Sequence, residues 1–291
     1  MLPIIFMAYN RPDKVKKIMD ALLDCDGIKE CEIYAFSDGA RNENAKAKVE
    51  EVRNLLRSYA QRVKMHIVER KTNYGCSRNV AESVSEVLKQ HKYAIYLEDD
   101  VMPQKDYIKY MKRQLEKYEK DENVFSINSY NQLERQGKSS DETYRSEKFS
   151  SWGSAIYKRG WEKVEFIFDK DNQLKGYKGD YLKKINGKKI KEISPDEYMT
   201  YLEHKYGYST WNKYGDMWDL QCFYYMLANN MVAITPYKSY MTNIGNDDGS
   251  GIHIRTKGLR KEAALFLRKL MVYTHTTGIV QKVYKSIHNK G

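Results

Sequence analysis

Three carboxylates stand in a row at Glu98-Asp99-Asp100, directly after the apolar run Tyr93-Ala94-Ile95-Tyr96-Leu97. A run of that length, set between His91-Lys92 and the acids, reads as a short buried strand; strands covered on both faces of a parallel sheet are apolar throughout. Adjacent carboxylates repel one another, and hard oxygen ligands in this arrangement suit Mg2+ or Mn2+. An isolated Glu-Asp-Asp is as readily a solvated acidic turn, and it is the buried strand before it that argues for a site. A cation held by Asp100, with Asp99 beside it, would bridge a diphosphate, neutralise its charge and stabilise it as a leaving group.

Further polar residues fall at the ends of other apolar runs. Asn10-Arg11 follow residues 3–8, Asp38 lies in Ser37-Asp38-Gly39 after the run 32–36, and Asn73 with Arg78 follow the run 63–68. Between these runs the apolar spacing is helical: Val15, Ile18, Met19, Leu22 and Leu23 after a capping Asp13, then Val49, Val52, Leu55, Leu56 and Tyr59, then Val80, Val84, Val87 and Leu88. The first hundred residues therefore spell β-α-β-α-β-α-β, a doubly wound parallel sheet. Ligands of such sheets bind beyond the carboxyl ends of the strands, which brings all four polar sets to one edge. Asp38 reads two ways there, as an acceptor for a base N–H or as a plain Asp-Gly turn.

Downstream, Met102-Pro103 stops the strand and a helix carries Tyr107, Ile108, Met111, Leu115 and Tyr118. Residues 124–127 read as a strand, 132–148 as a polar loop and 152–157 as a strand leading into a helix through Trp161, Val164 and Ile167. Residues 170–213, rich in Lys, Tyr and Gly, read as an insertion or lid. Asp216-Met217-Trp218-Asp219 opens a helix through Cys222, Phe223, Met226 and Leu227, and 232–236 form a last strand.

A chain of 291 residues can bury a large core, and its net charge of +11 favours anionic partners. Four cysteines without a CxxC or zinc spacing read as reduced thiols of a cytoplasmic protein. The first residues read as a strand rather than a signal peptide, and no apolar run approaches the roughly 18 residues of a membrane span. There is no G-x-G-x-x-G after the first strand and no P-loop motif, which lowers the dinucleotide-oxidoreductase and P-loop readings.

The residues Ala8-Tyr9-Asn10-Arg11-Pro12, Ser37-Asp38-Gly39, Asn73-x-Gly75 with Arg78-Asn79, and Leu97-Glu98-Asp99-Asp100 resemble those of a GT-A-fold glycosyltransferase. More narrowly, the chain is similar to bacterial family 2 sugar transferases of surface-polysaccharide synthesis and to N-acetylglucosaminyltransferase I, over roughly residues 3–256. The resemblance implies a Rossmann-like, mainly parallel central sheet flanked by helices in a domain spanning 1–256. It also implies metal-dependent transfer from a nucleotide-diphosphate sugar, a UDP-sugar above all, to a saccharide acceptor. Ala8, Tyr9, Asn10, Arg11, Asp38, Asn73, Arg78, Glu98 and Asp99 would then bind the nucleotide sugar, and Asp100 with His253 the Mn2+ or Mg2+. An acid at the head of a later helix is the general base of inverting members; Asp219, which follows the matching Trp218, is favoured over Asp216, and the choice stays open. Trp152-Gly153 and Trp218 offer aromatic surfaces for a donor or acceptor sugar, or else pack in the core.

Two rival readings remain. A metal-dependent nucleotidyl- or phosphotransferase would share the carboxylates and the metal. A nucleic-acid-binding protein fits the charge but not its distribution, since basic residues do not cluster on one element before residue 255. Residues 257–291 set Arg260, Lys261, Arg268 and Lys269 beside Leu265, Phe266, Leu270 and Met271. This amphipathic pattern suits either a helix packed on the core or a peripheral contact with the anionic inner face of the cell membrane, where the acceptor would be lipid-linked.

Overall fold

A computed structural model describes residues 1–131, 142–164, 166 and 218–245. Two compact units are formed, one from Met1–Gly176 with Tyr214–Ile244 and the other from Tyr177–Lys213 with Gly245–Gly291. Only Gly245 of the second falls among the described residues. The insertion at 170–213, the tail at 257–291, and with them Asp216 and His253, lie outside the described residues.

The first unit begins as expected, with strands β1 (Leu2–Ala8), β2 (Cys31–Ser37), β3 (Met65–Glu69) and β4 (Tyr93–Glu98) alternating with helices α1 (Pro12–Leu23), α2 (Glu43–Tyr59) and α3 (Cys76–Leu88). These strands lie in the order β3-β2-β1-β4, all parallel. Both faces are covered. Leu2, Ile4, Phe6 and Ala8 of β1 belong to one core with Val15, Ile18, Met19 and Leu22 of α1 and with Val52 and Leu56 of α2. On β1 and β4 packs α3, with Val80, Val84, Val87 and Leu88 buried. A strand with no solvent face has no use for alternation, hence the unbroken apolar run of β4.

The cap of α1 differs from the expectation. Arg11 holds the cap position without a side-chain cap bond, Pro12 is the first helical residue and Asp13 sits in the first turn. A missing cap costs about 1 kcal/mol. Burial of Val15, Ile18, Met19 and Leu22, each fully enclosed, contributes about 2 kcal/mol apiece. Packing therefore holds α1, and the Arg11 side chain is left for other work.

Beyond β4 the sheet becomes mixed. It continues through β8 (Ala155–Tyr157), β6 (Val124–Ile127), β9 (Val232–Pro236) and β7 (Thr143–Ser146), with β8 antiparallel to both β4 and β6, β9 parallel to β6, and β7 antiparallel to β9. Three strands differ from the expectation. One is β7, inside the stretch read as a loop; its Tyr144-Arg145 gain their place by pairing with Thr235 and Ile234. The others are β5 (Val101–Pro103) and β10 (Met241–Asn243), which pair with each other. Three-residue strands carry too little periodicity to be read locally. Helix α4 (Tyr107–Tyr118) matches the expected positions, α5 (Lys158–Trp161) is a single turn, and α6 spans Trp218–Ala228.

Arg159 closes this half of the unit. Its guanidinium donates to the carbonyls of Tyr118 and Glu119 at the carboxyl end of α4, where carbonyls lack helical partners, and to those of Asp121 and Val124 on the way into β6. It also lies 3.8 Å over the Tyr157 ring. Gly153 fixes the approach to β8. Its φ of +66° is left-handed, and an added Cβ would come 2.4 Å from Met241 Cε and 2.9 Å from Ser129 Oγ. Left-handed strain and overpacking together predict that Gly153→Ala loses about 3 kcal/mol of stability. Urea unfolding measures this, and a loss under about 1 kcal/mol would contradict the packing described.

Candidate donor site at the β1–β4 edge

In the order β3-β2-β1-β4 the chain leaves β1 to one side and later returns to its other side at β4. The crevice at the carboxyl ends of two such strands is where ligands of doubly wound sheets bind. The parallel register pairs Met7 with Glu98, so the loop after β1 meets the turn after β4. Arg11 crosses this gap. Its guanidinium donates to Asp100 Oδ2 at 3.0 Å and to Asp99 Oδ1.

Asp99 is 4% exposed. Burial pushes its pKa up, against the pull of Arg11 and of the Tyr9 amide. Burial also works against the charge of Arg11, but the two aspartates outweigh it and raise its pKa. Among the described residues each aspartate keeps one oxygen without a partner, Asp99 Oδ2 and Asp100 Oδ1, both buried. Orphaned buried carboxylate oxygens are costly unless something meets them. Glu98, half-buried beside them, accepts a hydrogen bond from Tyr96 Oη at 2.6 Å. Burial, then the Asp100 charge, pushes its pKa up to about 8.

The Asp100 backbone is anchored from far along the chain. The β5–β10 pair follows it immediately, and the Ile244 amide donates to the Asp100 carbonyl at 2.8 Å. Among the described residues no group of three or more His, Cys, Asp or Glu side chains forms a complete metal site. Two carboxylates with free oxygens nonetheless fit a divalent cation of the kind that completes its shell from substrate phosphates and water.

Asp38 stands at the end of β2 and is the hub of the neighbouring loops. Its amide donates to the Ala8 carbonyl at 3.0 Å. Its carboxylate accepts from the amides of Gly39, Tyr74 and Gly75 and from Asn73 Nδ2, two bonds on each oxygen. Burial raises its pKa despite these donors. With four acceptor positions filled internally, Asp38 serves here as the tie between the β2 and β3 ends. A Cβ on Gly39 would fall 2.3 Å from the Thr72 carbonyl carbon, so the two loops approach closely only because residue 39 is glycine.

The remaining residues divide. Tyr9 Oη accepts from the Arg41 amide at 3.0 Å, and Asn10 is half-exposed in the same loop. Arg78, in the first turn of α3, donates to Glu82 at 2.6 Å and lies 4.2 Å over the Tyr74 ring. Asp219 lies in the first turn of α6, half-buried, where its Oδ2 accepts from Ser151 Oγ at 3.4 Å. Its charge is felt at Glu98. Trp218 does not present a stacking face: it is 3% exposed, against Tyr96, Phe149 and Trp161 with ring centroids 4.8, 5.7 and 6.1 Å away. An aromatic cluster of this size takes up the ring as core. Trp152 is half-buried with its ring 4.6 Å from that of Tyr130, and Gly153 is a packing position. The Tyr96–Glu98 pair and the Ser151 contact were not foreseen. Tyr96 reads simply as one more apolar strand residue, and nothing local marks Ser151.

The sequence matches the family described as Glycosyl transferase family 2 over residues 4–176, more than half of the chain. Curated protein sequences give no match. Among solved structures, TarS of S. aureus has 10% identity and a TM-score of 0.48, covering 99% of this chain and 42% of TarS. TarS 1–349 in complex with UDP has 11% identity and a TM-score of 0.48, over 100% of this chain and 71% of that one. The mannosyltransferase PcManGT from Pyrobaculum calidifontis, in complex with GDP-Man and Mn2+, has 11% identity and a TM-score of 0.48, over 98% and 68%. At these values the structural likenesses carry no weight of their own, and the assignment rests on the sequence match together with the β-α alternation and the acidic end of β4. The chain belongs to glycosyl transferase family 2.

Proposed function

We propose that the enzyme moves a sugar from a nucleotide-diphosphate sugar, a UDP-sugar by preference, to a saccharide acceptor with inversion at the anomeric carbon, in bacterial surface-glycan synthesis. The observation that carries this reading is the pair Asp99 and Asp100 at the β1–β4 edge, bridged by Arg11 and each keeping a buried, unpartnered oxygen. Asp100 and Asp99 would hold Mn2+ or Mg2+, which when bound supplies positive charge to the diphosphate as it departs. Arg11, Tyr9 and Asn10 line the loop that a nucleotide diphosphate would meet, and a guanidinium is well suited to phosphate oxygens. Asp38 and Asn73 shape the neighbouring wall, with Arg78 over Tyr74 beyond them. Asp219 is the base: as the acceptor oxygen bonds to the anomeric carbon, its carboxylate takes the hydroxyl proton. Ser151 orients that carboxylate.

NMR of the product formed from a panel of UDP-sugars, with Mn2+ and with a chelator, tests the reading. Inverted configuration, UDP release and loss of transfer in chelator are expected, and Asp219→Asn should slow transfer by about 10²–10⁴. Retention of configuration, an unchanged Asp219→Asn rate or full activity in chelator would contradict the respective assignment, and pyrophosphate release would indicate nucleotidyl transfer instead.

The enzyme's place is proposed as cytoplasmic, at the inner face of the cell membrane. The basic amphipathic stretch 257–291 supports this placing, and among the described residues no helix is long and apolar enough to cross a membrane. Full-length protein should sediment with anionic vesicles at low salt, and the paired change Arg268→Glu, Lys269→Glu should weaken that by about tenfold or more, at about 1 kcal/mol per lost cation. Equal sedimentation of both proteins, or sedimentation indifferent to salt, would contradict it.

A further inference from the structure

Arg11 has an unusual liberty for a residue at the start of a helix. It makes no cap bond, and Pro12 and the packing of α1 hold the helix without it. Its side chain, 30% exposed, instead reaches across to two carboxylates that are 5% and 17% exposed. One positive charge thus faces two aspartates, with Glu98 next along the chain. We infer that Arg11 is a displaceable counter-ion of these carboxylates, which competes with the divalent cation for them and is drawn away by the donor's diphosphate. This rests on the reading of Asp99 and Asp100 as cation ligands.

A guanidinium needs carboxylate oxygens at about 2.8 Å, while Mn2+ or Mg2+ needs oxygens of the same two carboxylates at about 2.0–2.2 Å. Both cations on one pair of carboxylates would stand only a few ångströms apart, and in a poorly solvated cleft that repulsion is strong. A divalent ion arriving alone must therefore work against Arg11. An ion arriving with a diphosphate does not, because the phosphate oxygens give the fork a second planar, bidentate partner. Arg11 is suited to that exchange, since its backbone is fixed by Pro12 while its side chain has no further bond to break among the described residues. Metal and nucleotide then bind cooperatively, each raising the affinity for the other by the same factor. The alternative is a rigid brace, in which Arg11 merely orients the carboxylates and its loss can only weaken the metal.

Electron paramagnetic resonance of free Mn2+, titrated with full-length protein, distinguishes the two without any turnover. Arg11→Gln should bind Mn2+ about tenfold more tightly than wild type in the absence of nucleotide, and the gain in Mn2+ affinity on adding UDP should shrink by a similar factor. Arg11→Lys, which keeps the charge but loses the fork, should fall between the two, and guards against misfolding of the glutamine variant. A wild type that binds Mn2+ while both variants bind it equally or more weakly overturns the inference and leaves the metal reading intact. A wild type that binds no Mn2+, with or without UDP, overturns the metal reading and the inference with it.

Discussion

The ion pairing of Arg11 with Asp99 and Asp100 is the contact on which the site depends. It joins the loop after β1 to the turn after β4, the two strand ends that sheet topology makes neighbours although they lie about ninety residues apart in sequence. Like charges at that turn would otherwise repel with little water to screen them. A single guanidinium relieves part of the repulsion and leaves the pair net negative. That residual charge, with two oxygens still unpartnered among the described residues, is what the proposed cation would meet.

The surroundings hold this arrangement from three directions. From the carboxyl-terminal side, β10 pairs with β5 and Ile244 holds the Asp100 carbonyl, so the acidic turn is fixed by chain far from it. From the opposite flank, Asp38 gathers Gly39, Asn73, Tyr74 and Gly75 into one wall and is itself tied to Ala8. Beneath, Tyr96 packs edge-on against Trp218 and donates to Glu98, linking the first acid of the triplet to the helix that carries Asp219. Buried aromatic packing of this kind makes the tie between the strand end and the helix stiff.

Much of this was legible in the sequence because the half up to β4 is built from long, regular elements. Apolar strands and helical stripes fix the alternation, and alternation fixes which ends share an edge. The alternation alone places Arg11, Asp38, Asn73 and the Glu98–Asp100 triplet at one edge. The half beyond β4 was less legible, since β5, β7 and β10 are only three or four residues long and exist by virtue of partners remote in sequence. Side-chain roles were harder still. Trp218 looked like a sugar platform because aromatics serve both cores and ligands, and only its neighbours Tyr96, Phe149 and Trp161 decide which. Asp38 showed the opposite ambiguity, and no local motif announces the four donors that its carboxylate meets.

We propose above all that the β1–β4 edge holds the donor's diphosphate through a cation on Asp99 and Asp100. Calorimetric titration of UDP into the full-length protein tests it most directly. Binding in Mn2+ should weaken by at least about tenfold, or 1.4 kcal/mol, both in chelator and in Asp100→Asn. Equal UDP affinity with and without the cation, or an Asp100→Asn protein indistinguishable from wild type, would contradict it.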